Sequence, residues 1–260
     1  MTLAERIAAV SSCRWADLPI PHAPYVTSLP WVSHYGCHYV VHGDDITTDG
    51  TGQDSYRYVK EAGRMQIVKR TPGISTTDLV GRMLLFTKGH WIDSLQDVLR
   101  GHGGGGEERT SEAREMLGRM REYTTDETGK KPWVEVFCVE KGGDITTLIQ
   151  GVKPWPRQRV VYVDGSFDLF SSGHIEFLKQ VVVSEETKAR EQGWYEDARA
   201  HERIQESGRD YAPAYVVVGL HDDKTVNEEK GSNYPIMNSY ERALCTLQCR
   251  VRPSSLSPCS

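Results

Sequence analysis

Two apolar runs of strand length, CHYVVHGDD at 37–45 and MQIVKR at 65–70, flank a helical stretch, SYRYVKEAGR at 55–64, which Gly63 is placed to close. Parallel strands need a crossover connection, usually a helix, and this spacing supplies one. The next segment, TTDLVGRMLLFT from 76, has helical periodicity and good helix formers. Strand, helix, strand, loop, helix predicts an α/β fold on a parallel sheet.

The same grammar returns later. RVVYVDGSFDLFSSGHIEFLKQVV, 159–182, reads as strand, polar turn and helix, and AYVVVGL, 214–220, as another buried strand, followed by the polar HDDKTVNEEKGSNYP. A helix frame is also written twice. TLAERIAAVSSCRW at 2–15 and NSYERALCTLQCR at 238–250 place Glu5-Arg6 before Cys13-Arg14 at the spacing that separates Glu241-Arg242 from Cys249-Arg250. Between the two blocks, 91–157 is expected to be a linker: a glycine run and a charged helical stretch precede one short strand, WVEVFCVE. A charged helical insertion is expected at 183–210.

The segment KRTPGISTTDL, 69–79, carries chemistry. With Ser75 as N-cap and Asp78 three residues on, STTD has capping-box spacing, so the helix opens at the hydroxyls and its free backbone N–H groups point outward. Thr76, Thr77, a closely approaching Gly73 backbone and the guanidinium fork of Arg70 beside Lys69 are what a polyphosphate requires. The ligand expected is a nucleoside triphosphate. An ordinary capped helix after a strand is the alternative. In the second block His174 stands at a helix start, where a cationic imidazole would stabilise charge on a phosphoryl oxygen; a surface histidine is the alternative.

Composition narrows the classes. A net charge of −5 argues against a nucleic-acid surface, though not against a small anion held by local cations. The apolar runs fall far short of the roughly 20 residues a membrane span needs, so the expectation is a soluble, cytoplasmic chain without a transmembrane segment. Six cysteines without a CxxC pair read as reduced thiols, and Cys245 with Cys249 lacks the further ligands of a metal site. No GxxxxGK[ST], GxSxG or HExxH motif occurs, which argues against P-loop, serine-hydrolase and zinc-hydrolase chemistry.

KRTPGISTTDLVGRML, with YVVHGDDIT before it, resembles the ethanolamine-phosphate cytidylyltransferase family, related to the choline-phosphate and glycerol-phosphate cytidylyltransferases and marked by RTxGISTT and HxGH signatures. The resemblance covers about 1–90 and 158–250. It implies a Rossmann-like parallel-sheet nucleotidyltransferase fold in two copies, both incomplete here: residues 1–90 as the C-terminal half of a first copy and 158–260 as the N-terminal half of a second. It implies transfer of CMP from CTP to phosphoethanolamine, giving CDP-ethanolamine and pyrophosphate in phosphatidylethanolamine synthesis, with Mg²⁺ as helper. By the same resemblance, Lys69 and Arg70 are catalytic, Arg70 and Thr71 meet the triphosphate, Gly73 and Ile74 supply close backbone, and Ser75, Thr76, Thr77, Asp78 and Leu79 hold the nucleotide at the helix start. His42, Gly43, Asp44 and Asp45 line the pocket. Ser166, Phe167, His174 and Phe177 fall on nucleotide-binding positions of the second copy, with Lys230 a phosphate contact and His174 catalytic. The departures are a missing HxGH in the first copy, Ser171 in place of the first histidine in SSGH, and no second RTxGISTT. Three readings follow: an active enzyme, for which the two halves would assemble one domain permuted across the linker; a silent CTP-binding or regulatory module that pairs with a complete enzyme; or an unstable product of an altered reading of the gene. The partner expected is a second copy in a homodimer or a full-length homologue.

Overall fold

In the computed structural model, which describes residues 1–69, 75–101, 106–126, 128, 130–139, 142–154, 158–193, 196–207, 214–231 and 233–249, Thr2 opens the first helix, α1 (Leu3–Ser11), with a complete capping box. Its hydroxyl accepts from the Glu5 amide and its own amide donates to the Glu5 carboxylate. Along the chain follow α2 (Leu29–His34), β1 (Val40–Gly43), α3 (Arg57–Glu61), β2 (Met65–Val68), α4 (Thr76–Leu85), α5 (Leu95–Leu99), α6 (Gly106–Thr124), β3 (Val136–Val139), β4 (Ile145–Ile149), β5 (Val160–Gly165), α7 (Ser172–Glu191), α8 (Ala200–Ser207), β6 (Tyr215–Leu220), α9 (Asp223–Lys230) and α10 (Ser239–Leu247). The last helix repeats the first: Asn238 and Glu241 close a second capping box in the frame of Thr2 and Glu5. The duplicated sequence frame is thus a duplicated local structure.

Two compact units are present, Ile20–Asp78 and Met1–Pro19 with Leu79–Ser260. In the first, β1 and β2 pair in parallel, Val40 opposite Met65 through Gly43 opposite Val68, as the strand–helix–strand reading requires. Gly63 adopts φ +65°, the left-handed turn that ends α3 and feeds β2. Val59 of α3 is fully buried, and the Arg64 guanidinium binds the carbonyls of Cys37 and His38 just ahead of β1.

In the second unit β5 and β6 pair in parallel over their whole length, Val160 opposite Tyr215 through Gly165 opposite Leu220. The core gathers Leu99, Met120, Ile149, Tyr240, Ala243 and Leu244. Three of these come from 91–157. The stretch read as a linker with one short strand therefore differs from expectation: it holds two helices, α5 and α6, and an antiparallel hairpin, β3 with β4. The physical reason is that α6 is mostly charged and buries few side chains, among them Met120 and Ala113, so its composition reads as solvent-facing although one stripe is core. Among the described residues of the insertion expected at 183–210, the end of α7 and all of α8 are helical. The polar HDDKTVNEEK contains an unforeseen helix, α9, capped by the Asp222 carboxylate on the Thr225 amide at 2.6 Å. Among the described residues the strands form three separate two-stranded sheets. No described helix is long and apolar enough to cross a membrane.

Candidate functional site

β5 and β6 end at the same level, and two helices begin just past them: α7 after the 166–171 turn and α9 after His221-Asp222. Parallel sheets collect ligands at this carboxyl edge, where helix amino ends meet the loops. A cleft of about 490 Å³ lies there, lined by Asp164, Gly165, Ser166, Phe167, His174, Phe177, His221, Thr225, Val226, Glu229 and Lys230. The five second-copy residues read from the sequence, Ser166, Phe167, His174, Phe177 and Lys230, all meet in it.

The turn after β5 is held under strain. Phe167 and Leu169 both adopt φ +48°, a left-handed conformation that side chains with a Cβ resist. Asp168 between them is buried, and its carboxylate accepts the amides of Ile236 at 2.8 Å and Met237 at 2.9 Å. Those bonds tie the turn to the segment leading into α10. The aromatic rings of Phe167 and Phe170 lie 5.5 and 5.4 Å from the His174 ring.

His174 Nδ1 accepts the Ser171 amide at 3.1 Å, so the neutral ring carries its proton on Nε2. Ser171, standing where the signature has its first histidine, is the N-cap of α7. Burial first, and the Lys230 ammonium second, hold the His174 pKa below its ordinary 6.5, with Asp168 opposing. This corrects the expectation of a cationic imidazole: without ligand the ring is pushed toward the neutral form, a hydrogen-bond donor through Nε2. Lys230, at the end of α9, donates to Ser166 Oγ at 2.6 Å.

Arg242 organises the cleft from beneath. It has no exposure, and its guanidinium donates to Met237 O (3.1 Å), Ser166 O (2.6 Å), His221 O (2.8 Å) and Asp223 Oδ1 (2.7 Å). One planar fork thus ties both strand-end loops to the start of α9. Asp223 is buried and also accepts the Ile92 amide at 2.8 Å. Burial raises its pKa, against the pull of the Ile92 amide and the guanidinium. Arg6, in the matching frame of α1, is exposed.

The unit Ile20–Asp78 carries the other set. His42 and Gly43 lie opposite Ile67 and Val68, so Asp44 and Asp45 leave β1 at the same edge at which Lys69 leaves β2. His42 Nδ1 lies 3.1 Å from Gly43 O and therefore carries the ring hydrogen there, and the ring sits 4.7 Å from that of Tyr56. Asp44, Asp45, Lys69, Thr76, Thr77 and Asp78 are exposed and Ser75 is half-buried; Leu79, the first residue of the other unit along this helix, is half-buried as well. Ser75 Oγ accepts the Asp78 amide at 3.4 Å, the cap read from STTD. Arg70, Thr71, Gly73 and Ile74 lie outside the described residues.

Asp164, His221, Thr225, Glu229 and Arg242 escaped the sequence reading. A signal existed for Asp164 and His221, since each lies at or just beyond the carboxyl end of an apolar run, but not for Thr225 and Glu229, which sit within α9. Arg242 carried no such mark except its membership of the repeated Glu-Arg frame.

A family model described as cytidylyltransferase-like matches residues 1–82. Over 265 residues the chain is 37% identical to an ethanolamine-phosphate cytidylyltransferase of Mus musculus, covering 96% of this chain and 56% of that protein. It is 36% identical to one of Dictyostelium discoideum (95% and 56%) and 32% identical to a probable ethanolamine-phosphate cytidylyltransferase of Schizosaccharomyces pombe (98% and 58%). The chain spans little more than half the length of these relatives. Their similarity runs through 91–157 as well, which corrects the expectation that the resemblance stops near 90 and resumes near 158.

Proposed function

For a chain related along nearly its whole length to the ethanolamine-phosphate cytidylyltransferases, with a cytidylyltransferase-like α/β fold, we propose that it takes part in transfer of CMP from CTP to phosphoethanolamine in the cytoplasm, within phosphatidylethanolamine synthesis. A phosphate oxygen of phosphoethanolamine attacks the α-phosphorus of CTP, the bond to the β-phosphate oxygen breaks, and pyrophosphate leaves with CDP-ethanolamine formed. The observation that supports this most is the single cleft in which Lys230, His174 and Ser166 face one another beside the amino end of α7. The Lys230 ammonium neutralises phosphate charge, and His174 offers its Nε2 hydrogen to a phosphoryl oxygen. A neutral imidazole donates that bond without first having to lose water from a charge. Phe167 and Phe177 supply the apolar wall.

The proposal gives Lys69, Arg70, Thr71, Gly73, Ile74 and Ser75 to Asp78, with His42 to Asp45, the same office in the other unit: anion binding at the amino end of α4 and the edge of β1 and β2. Magnesium has no cage among the described residues, where no three His, Cys, Asp or Glu side chains cluster. It would arrive on the phosphate oxygens of CTP, since Mg²⁺ keeps few protein ligands.

The test is CDP-ethanolamine formation by the purified chain from CTP and phosphoethanolamine, alone and mixed with an intact homologue, with CTP affinity measured alongside. Lys230→Met is expected to weaken CTP binding by about tenfold or more, the order of one charge-assisted hydrogen bond, while the melting temperature stays put. CTP binding without turnover in either setting would leave the chain a silent nucleotide-binding partner. Affinity indifferent to Lys230 and to the joint replacement of Arg70 and Thr76 would refute the nucleotide sites.

A further inference from the structure

The end of α1 and the end of α10 meet at one antiparallel backbone bridge, in which Cys13 faces Cys249. The Arg14 amide donates to Gln248 O at 3.1 Å, one step beyond the pair. That pattern makes Cys13 and Cys249 a non-hydrogen-bonded pair, the kind in which opposed Cα atoms approach to about 4.5 Å and the side chains lie closest. A disulfide needs Cα atoms roughly 4.4–6.8 Å apart. Register therefore sets opposite each other, at the backbone separation a disulfide spans, two cysteines far apart in the chain.

These are no arbitrary cysteines. They hold equivalent places in the duplicated helix frame, so the two copies touch through the same residue, as the halves of a two-fold contact do. Both are free thiols, partly buried. Arg14 beside the bridge is anchored by its guanidinium to the carbonyls of Tyr123 and Asp126, which holds the register.

We propose that Cys13 and Cys249 are a modification site: a thiol pair that a low-molecular-weight disulfide converts to a reversible cross-link between the two copies of the helix. One protein thiolate attacks the small disulfide, whose sulfur–sulfur bond breaks and expels one small thiolate. The second protein thiol loses its proton and attacks the mixed disulfide, forming the Cys13–Cys249 bond and releasing the second small thiol. Two protein thiols are oxidised and one small disulfide is reduced to two thiols. Burial pushes the Cys249 thiol up to about 11, while the Lys179 ammonium on α7 and the Ser12 hydroxyl pull the other way. Exchange is accordingly slow at neutral pH and quickens on the alkaline side.

The experiment treats the native full chain with oxidised glutathione at mildly alkaline pH and maps linked tryptic peptides without reduction, using the glutathione adduct of exposed Cys37 as proof of exposure to oxidant. The expected product joins the peptide containing Cys13 to that containing Cys245 and Cys249. It persists in Cys245→Ser, disappears in Cys13→Ser and in Cys249→Ser, and reverses with reductant. The oxidised chain is expected to melt several degrees higher, because the closed loop is long. A Cys37 adduct without the linked peptide would overturn the proposal, as would a link that survives Cys249→Ser or forms as readily in urea as in the native chain.

Discussion

Replacing Arg242 by methionine tests whether one buried guanidinium sets the shape of the cleft. Methionine fills much of the volume but donates nothing. The Asp223 carboxylate, only 2% exposed, then loses its partner at 2.7 Å, and the carbonyls of Ser166, His221 and Met237 lose their donors. Breaking a buried ion pair from one side costs about 3–5 kcal/mol, a large share of the roughly 5–15 kcal/mol that holds a domain together. The loss carries a pH signature. Asp223 is raised above its ordinary 3.8 in the folded chain, so above 3.8 and up to its raised value the folded chain holds more protons than the unfolded one, and stability falls as pH rises through that window. Without the guanidinium the carboxyl rises further. The deficit of Arg242→Met is therefore largest at neutral pH and narrows on acidification, and adding Asp223→Asn recovers part of it, with a coupling of about 0.5–3 kcal/mol. Urea unfolding followed by circular dichroism from mildly acid to neutral pH reads all three, and CTP titration of the folded variant is expected to show weakened binding as the Ser166 and His221 loops relax. A cost under about 1 kcal/mol, the size of a surface pair, or a deficit flat with pH, would refute the reasoning.

Two further outcomes follow from the same unit. His174 should titrate below its ordinary 6.5 in the free chain and move upward when CTP binds, read from its ring proton resonances; the stability of keeping it neutral is present above 6.5 and lost as pH falls through that value toward the lowered one. A midpoint at or above 6.5 without ligand would overturn the neutral assignment. Asp168→Asn turns a side-chain NH₂ toward one of the Ile236 and Met237 amides, at a cost of about 1–3 kcal/mol. Urea unfolding measures this loss, and an unchanged midpoint would mean that the strained Phe167 turn does not depend on Asp168.

The local elements were legible wherever apolar spacing was clean. The runs at 40–43, 65–68, 160–165 and 215–220 became parallel strands, Gly63 ended a helix with positive φ, and Ser75 accepted its capping bond. The grouping of Ser166, Phe167, His174 and Phe177 was also within reach, because the motif that bears them follows a strand and opens a helix, whereas Lys230 at the end of α9 was reached only through the family resemblance. Helix α9 was not, since Val226 is its only buried apolar residue and a charged helix has no periodicity to read.

What the chain of residues determines by itself is short-range: which segments extend, which coil, where caps and turns fall, because those depend on neighbours three or four positions away. Tertiary structure alone decided that α6 supplies core, that the His174 ring is held toward neutrality, and that Arg242 stitches the two strand ends together. Each of those depends on how much water a group has lost and on which distant partner replaced it, and neither quantity is written in any local run of letters.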